Sequence, residues 1–214
     1  MIRLAGVVLA SFVGLASTVQ APRVLRPIDE AAKVPSFAAF RNNLIAIVKA
    51  RDTKKLEAMI APNIKLSFGG DEGLDDFRKE WKPDRPDSKL WPELDTILRL
   101  GGSFQGDNHF FAPYVYSAFP NDLDAFENGV IIDRNVPMRS KPSPTAPVIA
   151  RLTHEIVGAE MGTPESRVWV KVTRLVKPTT GYVAARATRS PIGYRAGFER
   201  VNGKWMMTIL IAGD

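Results

Sequence analysis

Four acids, Asp71, Glu72, Asp75 and Asp76, lie within six residues, directly after Gly69 and Gly70. Hard divalent cations take oxygen ligands, so such a cluster is a candidate metal site. It does not match the twelve-residue calcium loop, which needs glycine at position 6 and glutamate at position 12. The plainer expectation is a Gly-Gly turn before a helix whose positive dipole end the acids favour. His109 opens a second cluster, with Phe110, Phe111, Tyr114 and Tyr116 behind it and Asp107 ahead. A catalytic histidine needs an orienting acid and a nucleophile in space. The sequence has neither a GxSxG elbow nor an HExxH helix. His109 is therefore read first as a core or strand-edge residue. His154, beside Glu155 in a strand-like stretch, is read the same way. There is no cysteine and there are two histidines. That excludes disulfides, thiolate sites, a cysteine nucleophile and a multi-histidine metal centre. No cofactor or metal is expected.

A third group is cationic: Arg139, Lys141, Arg151, Lys171, Arg174 and Arg186, interleaved with Trp169 and Tyr182. The formal net charge of +6 is unevenly spread. Residues 22–129 carry 15 Lys and Arg against 17 Asp and Glu; residues 130–214 carry 13 against 6. A basic C-terminal half favours anionic partners.

The elements that must position these groups follow from pattern. At 214 residues the chain is one large domain or two small ones. It opens MIRLAGVVLASFVGLASTVQA, with Arg3 before an uncharged apolar run from Leu4 to Ala16. This is the layout of a secretory signal peptide, expected over 1–21, with Ala16 and Ala21 as candidate cleavage positions. The run is shorter than the ~20 residues of a membrane span, so no stable span is expected after cleavage. Export to a periplasmic or secreted location argues against nucleic acid as a partner.

Residues 22–35, punctuated by Pro22, Pro27 and Pro35, read as a linker. A helix is expected over 36–50, capped by Ser36, from the spacing of Phe37, Phe40, Leu44, Ile47 and Val48. Asp52 can cap a second over 53–60, ended by Pro62. Ile64, Leu66 and Phe68 alternate as a strand. Leu74, Phe77 and Trp81 suggest a third helix. Leu90, Leu94, Ile97 and Leu98 suggest a fourth from Ser88, stopped by Gly101 and Gly102. Phe110 to Tyr116 reads as extended, at an edge or bulge because of Pro113. Short strands with frequent turn signals fill 126–190 and suggest a small barrel. Residues 191–214 form a hairpin about Asn202-Gly203. We read the hairpin as returning to the first domain, which spans 36–125; the alternative is that it extends the barrel.

Two local motifs resemble known families. Phe68-Gly69-Gly70-Asp71-Glu72 resembles the signature of diguanylate cyclases. Gly73 replaces the expected phenylalanine, a helical pattern replaces the expected strand, and the companion motifs are missing, so the resemblance carries no activity. The stretch NVPMRSKPSPTAPVIARL (residues 135–152), then WVKV (169–172) and TGYV (180–183), resembles a bacterial SH3-like domain over about 60 residues. Pro137 interrupts the usual strand, and Lys141 stands where glycine is usual. More loosely, the helices, strand and C-terminal hairpin of the remainder resemble a cystatin-like, nuclear-transport-factor-type fold.

The expected fold class is thus α+β: a helix-rich domain, an SH3-like barrel and a hairpin. The resemblance implies a non-catalytic, exported binding protein of the bacterial envelope, with peptidoglycan or an envelope protein as partner. Arg139, Lys141, Trp169, Lys171 and Tyr182 are its candidate ligand-binding residues. The alternative is an enzyme or small-ligand binder in the helix-rich domain, with Asp71, His109, Tyr114 and Tyr116 around its pocket and the barrel as targeting module. Oligomeric state is open.

Overall fold

The computed structural model describes residues 21–159 and 168–213. The segment expected to be a signal peptide, residues 1–21, lies outside the described residues apart from Ala21. The chain runs through α1 (Pro35–Ala50), α2 (Thr53–Glu57), β1 (Ile60–Lys65), α3 (Gly73–Trp81) and α4 (Leu90–Arg99). It continues through β2 (Ser103–Gln105), β3 (His109–Ala112), α5 (Tyr114–Ser117), β4 (Asn128–Ile131), β5 (Val136–Arg139) and β6 (Val148–Leu152). It ends through β7 (Ile156–Gly158), β8 (Trp169–Arg174), β9 (Thr180–Ala184), β10 (Thr188–Arg189), β11 (Arg195–Val201) and β12 (Lys204–Ile211). The architecture is mixed α+β with two sheets.

The first sheet has the order β1-β12-β11-β3-β2. Its only parallel pair among the described residues is β1 with β12. The C-terminal hairpin therefore lies in the middle of this sheet, between strands contributed by residues 60–112. Asn202 and Gly203 both have positive φ (50° and 80°), the backbone that a two-residue hairpin turn requires. Helices α1, α3 and α4 cover one face. Their buried residues, including Phe37, Leu44, Phe77, Leu94 and Ile97, join Phe110, Phe198, Met207 and Leu210 in one core. Phe37 is its centre: its ring centroid is 4.4 Å from Phe110, 4.9 Å from Trp205 and 5.6 Å from Phe198. Contacts at these separations and tilts add to the area each ring buries.

Several local expectations are corrected. Pro35, not Ser36, begins α1, and no side chain caps it; proline suits the first position because its missing N–H has no helical acceptor. Ser36 Oγ instead accepts hydrogen bonds from Trp205 Nε1 (3.1 Å) and an Arg200 Nη2 (3.0 Å). Asp52 does cap α2, accepting from Lys55 N at 3.0 Å. That helix ends at Glu57 because Ile60 to Lys65 is taken up by β1. Pro62 sits inside the strand rather than stopping a helix; β1 is an edge, where the missing N–H is tolerated. Extended structure after Phe110 lasts only to Ala112, and Tyr114–Ser117 is a helical turn. His154 lies at a left-handed turn (φ 53°) between strands.

The second sheet, order β10-β4-β7-β8-β9-β5-β6, uses residues 128–189. Its own core contains Ile131, Val136, Met138, Leu152, Val157, Val170, Val172 and Val183. Among the described residues no pairing joins β6 to β10, so the sheet is not a closed barrel.

Residues 22–35 are not a free linker. Leu25 N donates to His154 O (2.8 Å) and Ile156 N to Arg23 O (2.8 Å), which adds this segment beside β7. Leu25 also packs with Leu100, Tyr114, Val115, Val130, Ile132 and Ile156 in a cluster drawn from both halves of the chain. Arg189 strengthens that junction by bonding Glu93 (2.6 Å) and Tyr194 O (2.6 Å).

Gly102 marks the closest approach in the first sheet. A Cβ there would lie 2.0 Å from Phe111 O and 2.9 Å from Phe110 Cε1. Because the first obstacle is backbone, Gly102→Ala is expected to cost about 3 kcal/mol, the upper range of overpacking. Gly69→Ala, whose Cβ meets only Ser67 Oγ at 3.5 Å, should stay within about 0.5 kcal/mol. Urea unfolding of the two variants checks both values.

Candidate functional site

Alternation along the first sheet separates two faces. Phe110, Ala112, Ala196, Phe198 and Leu210 point to the helices. Phe111, Arg195, Ile209 and Ile211 line a cavity of about 390 Å³ on the other side. Register brings them together: Arg195 lies opposite Ile211, and Gly197 opposite both Ile209 and Phe111. Gly197 keeps this face clear, since a Cβ there would come within 2.9 Å of Phe111 Cε1.

The walls come from two short segments. The turn between β1 and α3 is closed by Leu66 N donating to Asp71 O (3.0 Å). Ser67 Oγ accepts from Gly69 N and Asp71 N and donates to Asp71 Oδ2 (2.7 Å). This lifts Phe68, 60 % exposed, over the cavity. From the other side α5 brings Tyr116, whose ring meets Phe111 edge-on at 5.7 Å.

Arg195 sits between these walls. Its guanidinium carbon is 4.6 Å from the Tyr116 ring centroid and 5.6 Å from that of Phe68, both within cation–π range. The residue is 6 % exposed. Its Nη1 is buried without a hydrogen-bond partner among the described residues. Asp71 and Glu72 line the same cavity, but neither is within ion-pair distance of Arg195 among the described residues. Burying a charge without a counter-charge is costly, so this cation is the chemically distinctive group of the sheet.

The structure therefore divides the alternative pocket expected from sequence. Asp71 and Tyr116 line the cavity. His109 is exposed at the start of β3, opposite Gln105 and Glu199. Tyr114 is fully buried in the cluster between the sheets. Its hydroxyl has no partner among the described residues, and burial, aided by the Asp133 charge, pushes its pKa up to about 12. Among the described residues no three acids and histidines are grouped to hold a metal. His154 is buried, which pushes its pKa below the ordinary value, with the charge of Arg134 acting in the same direction.

Arg195 was missed by sequence reasoning. It alternates with Tyr194, Ala196 and Phe198, which marks it as a solvent-facing strand residue. Only the tertiary arrival of the 66–71 turn and of α5 covers it. Gly197, two positions on, is the one local hint that something approaches this face.

The second sheet assembles the other candidates. Lys171 is opposite Tyr182 across β8 and β9, and Tyr182 is opposite Arg139 across β9 and β5. Cross-strand partners share a face, so Lys171, Tyr182 and Arg139 form a row. Trp169, two residues before Lys171, is on the same face. Val170, Val172 and Val183 point the other way into the core. Val148, opposite Arg139, and neighbouring Ile149 remain 42 % and 43 % exposed. Arg139 Nη1 donates to Ala146 O (2.6 Å), which steadies the loop carrying exposed Lys141. Arg174 is committed elsewhere, to Glu155 at 2.8 and 3.2 Å. Arg151 reaches Asn135 (3.3 and 3.4 Å).

No protein-family model matches the chain, and neither a curated protein nor a solved structure matches it.

Tyr114 gives a signed pH dependence. Its raised pKa means that the folded protein keeps a proton which the unfolded chain releases above pH 10. That contribution to stability is present below pH 10 and is lost as pH rises towards about 12. Tyr114→Phe removes the unpartnered hydroxyl, so at pH 7 its stability should equal or exceed the parent's by up to about 1 kcal/mol. Between pH 10 and 12 the variant should lose less than the parent. Urea unfolding at pH 7 and pH 11 measures both effects.

Proposed function

We propose that the protein is an exported, non-catalytic binding protein of the bacterial cell envelope. In this reading the second sheet is an opened SH3-like module that engages peptidoglycan stem peptides or an envelope protein. The first sheet with its helices is a cystatin-like unit that supports it. The observation carrying the reading is the row Lys171, Tyr182 and Arg139, flanked by Trp169. It combines two cations with two partly exposed aromatic rings on one sheet face. Cations meet carboxylates by charge-assisted hydrogen bonds, and rings supply area with little side-chain entropy to lose. Exposed Val148, opposite Arg139, extends the row with apolar surface suited to small aliphatic side chains. The sequence motifs from Asn135 to Val183 support the same module.

The test is co-sedimentation of the purified protein with insoluble peptidoglycan at low and high salt. Binding should persist at high salt. Tyr182→Ala should weaken it about tenfold, or ~1.4 kcal/mol, and Lys171→Glu by a similar factor. Binding that disappears on modest salt addition would reduce the contact to a basic protein on an acidic polymer. No binding at either salt would refute peptidoglycan as the partner.

A further inference from the structure

We infer that the cavity on the open face of the first sheet binds a small amphiphilic carboxylate, with Arg195 as the residue that recognises its head group. This is a second site, on the other sheet from the basic row, and does not depend on the reading above.

The argument starts from Arg195. A guanidinium carries five donors in a planar fork. Here it is more than nine-tenths buried, yet no carboxylate among the described residues pairs with it, and Nη1 faces no acceptor. The rings of Tyr116 and Phe68 lie within cation–π range of its guanidinium carbon. They satisfy its charge only in part and none of its hydrogen bonds. An acceptor with two oxygens in one plane completes the fork.

The rim selects among anions. Asp71 and Glu72 line the cavity and Lys65 is its only other cation among the described lining residues. A dianionic phosphate meets repulsion from two acids; a singly charged carboxylate meets less of it. Asp71 cannot turn inward freely to neutralise Arg195, because Ser67 Oγ holds its Oδ2 at 2.7 Å. The remaining walls are Phe68, Phe111, Ile209 and Ile211, which suit an apolar body. A volume of about 390 Å³ falls within the roughly 300–1,000 Å³ of small-molecule sites.

Phe68 is the exposed wall of the site. It is 60 % exposed at the tip of a Ser67-braced turn, so apolar ligand beneath it gives the ring surface to bury.

The experiment titrates the full protein by calorimetry with octanoate, octanol and octyl phosphate, and follows Tm in parallel. Octanoate should bind at least tenfold more tightly than either analogue and raise Tm by mass action. Arg195→Met should weaken octanoate at least tenfold and leave ligand-free Tm unchanged or higher, since it removes a buried charge without a partner. Phe68→Ala, at an exposed tip, should weaken octanoate with the fold intact, and it serves as the test if Arg195→Met does not fold. Equal binding of octanol would overturn the assignment to a carboxylate. Preference for octyl phosphate would overturn the role of the acidic rim. Absence of octanoate binding, or octanoate binding unaffected by Phe68→Ala and Arg195→Met, would overturn the site. Peptidoglycan co-sedimentation of Arg195→Met should match the parent, which separates failure of this site from failure of the basic row.

Discussion

The fold depends on the hairpin of β11 and β12 closing a core that the N-terminal half cannot close alone. Phe37, near the start of α1, touches Phe110 from β3 and Phe198 and Trp205 from the hairpin. Ser36, its neighbour, accepts hydrogen bonds from Trp205 and Arg200. Without β12, β1 has no partner strand; without β11, β2 and β3 are a short isolated pair. The contacts to the hairpin span more than 160 residues of sequence, and the whole second sheet lies between their ends. Closing so long a loop costs entropy that grows only slowly with length, so a second folded unit inserted there is tolerated. The cluster around Leu25, Tyr114 and Ile156 then ties the inserted sheet to the first.

This closure also makes the surfaces on which the proposed binding roles rest. A sheet buried against helices on one side has a second face to cover. The turn bearing Phe68 and the helical turn bearing Tyr116 cover only part of it, and Arg195 is left between them. In the second sheet the same alternation that sends Val170, Val172 and Val183 inward sends Lys171 and Tyr182 outward. The excess positive charge of the C-terminal half is not uniform either. Arg174 is paired with Glu155 and Arg189 with Glu93. Arg139, Lys141 and Lys171, the cations of the proposed binding row, form no ion pair among the described residues, and neither does Arg195.

Much of the local architecture was legible from periodicity. The spacing of Phe37, Leu44, Ile47 and Val48 marks α1, and that of Leu90, Leu94, Ile97 and Leu98 marks α4, because each helix buries one stripe. Asn202-Gly203 marks its turn because few other pairs accept that backbone. What could not be read depended on partners distant in sequence. Ser36 looks like a helix cap, but a tryptophan 169 residues away takes its oxygen. Pro62 looks like a helix stop, but β12 recruits its neighbours into a strand. The proline-marked segment at 22–35 looks like a linker until His154 O and Ile156 N supply its hydrogen bonds. In the site, Asp71 and Tyr116 were within reach of pattern. Arg195 was not, since its burial comes from segments about 80 and 130 residues earlier in the chain.

The central claim is that α1, β1, β3 and the terminal hairpin form one cooperative unit. Native-state hydrogen exchange across a denaturant series tests it most directly, since segments of one unit open with one free energy. The account predicts that slow amides in α1, β1, β3, β11 and β12 merge onto a single unfolding isotherm. It would be contradicted if the β11 and β12 amides opened at clearly lower free energy while those of α1 and β1 stayed protected.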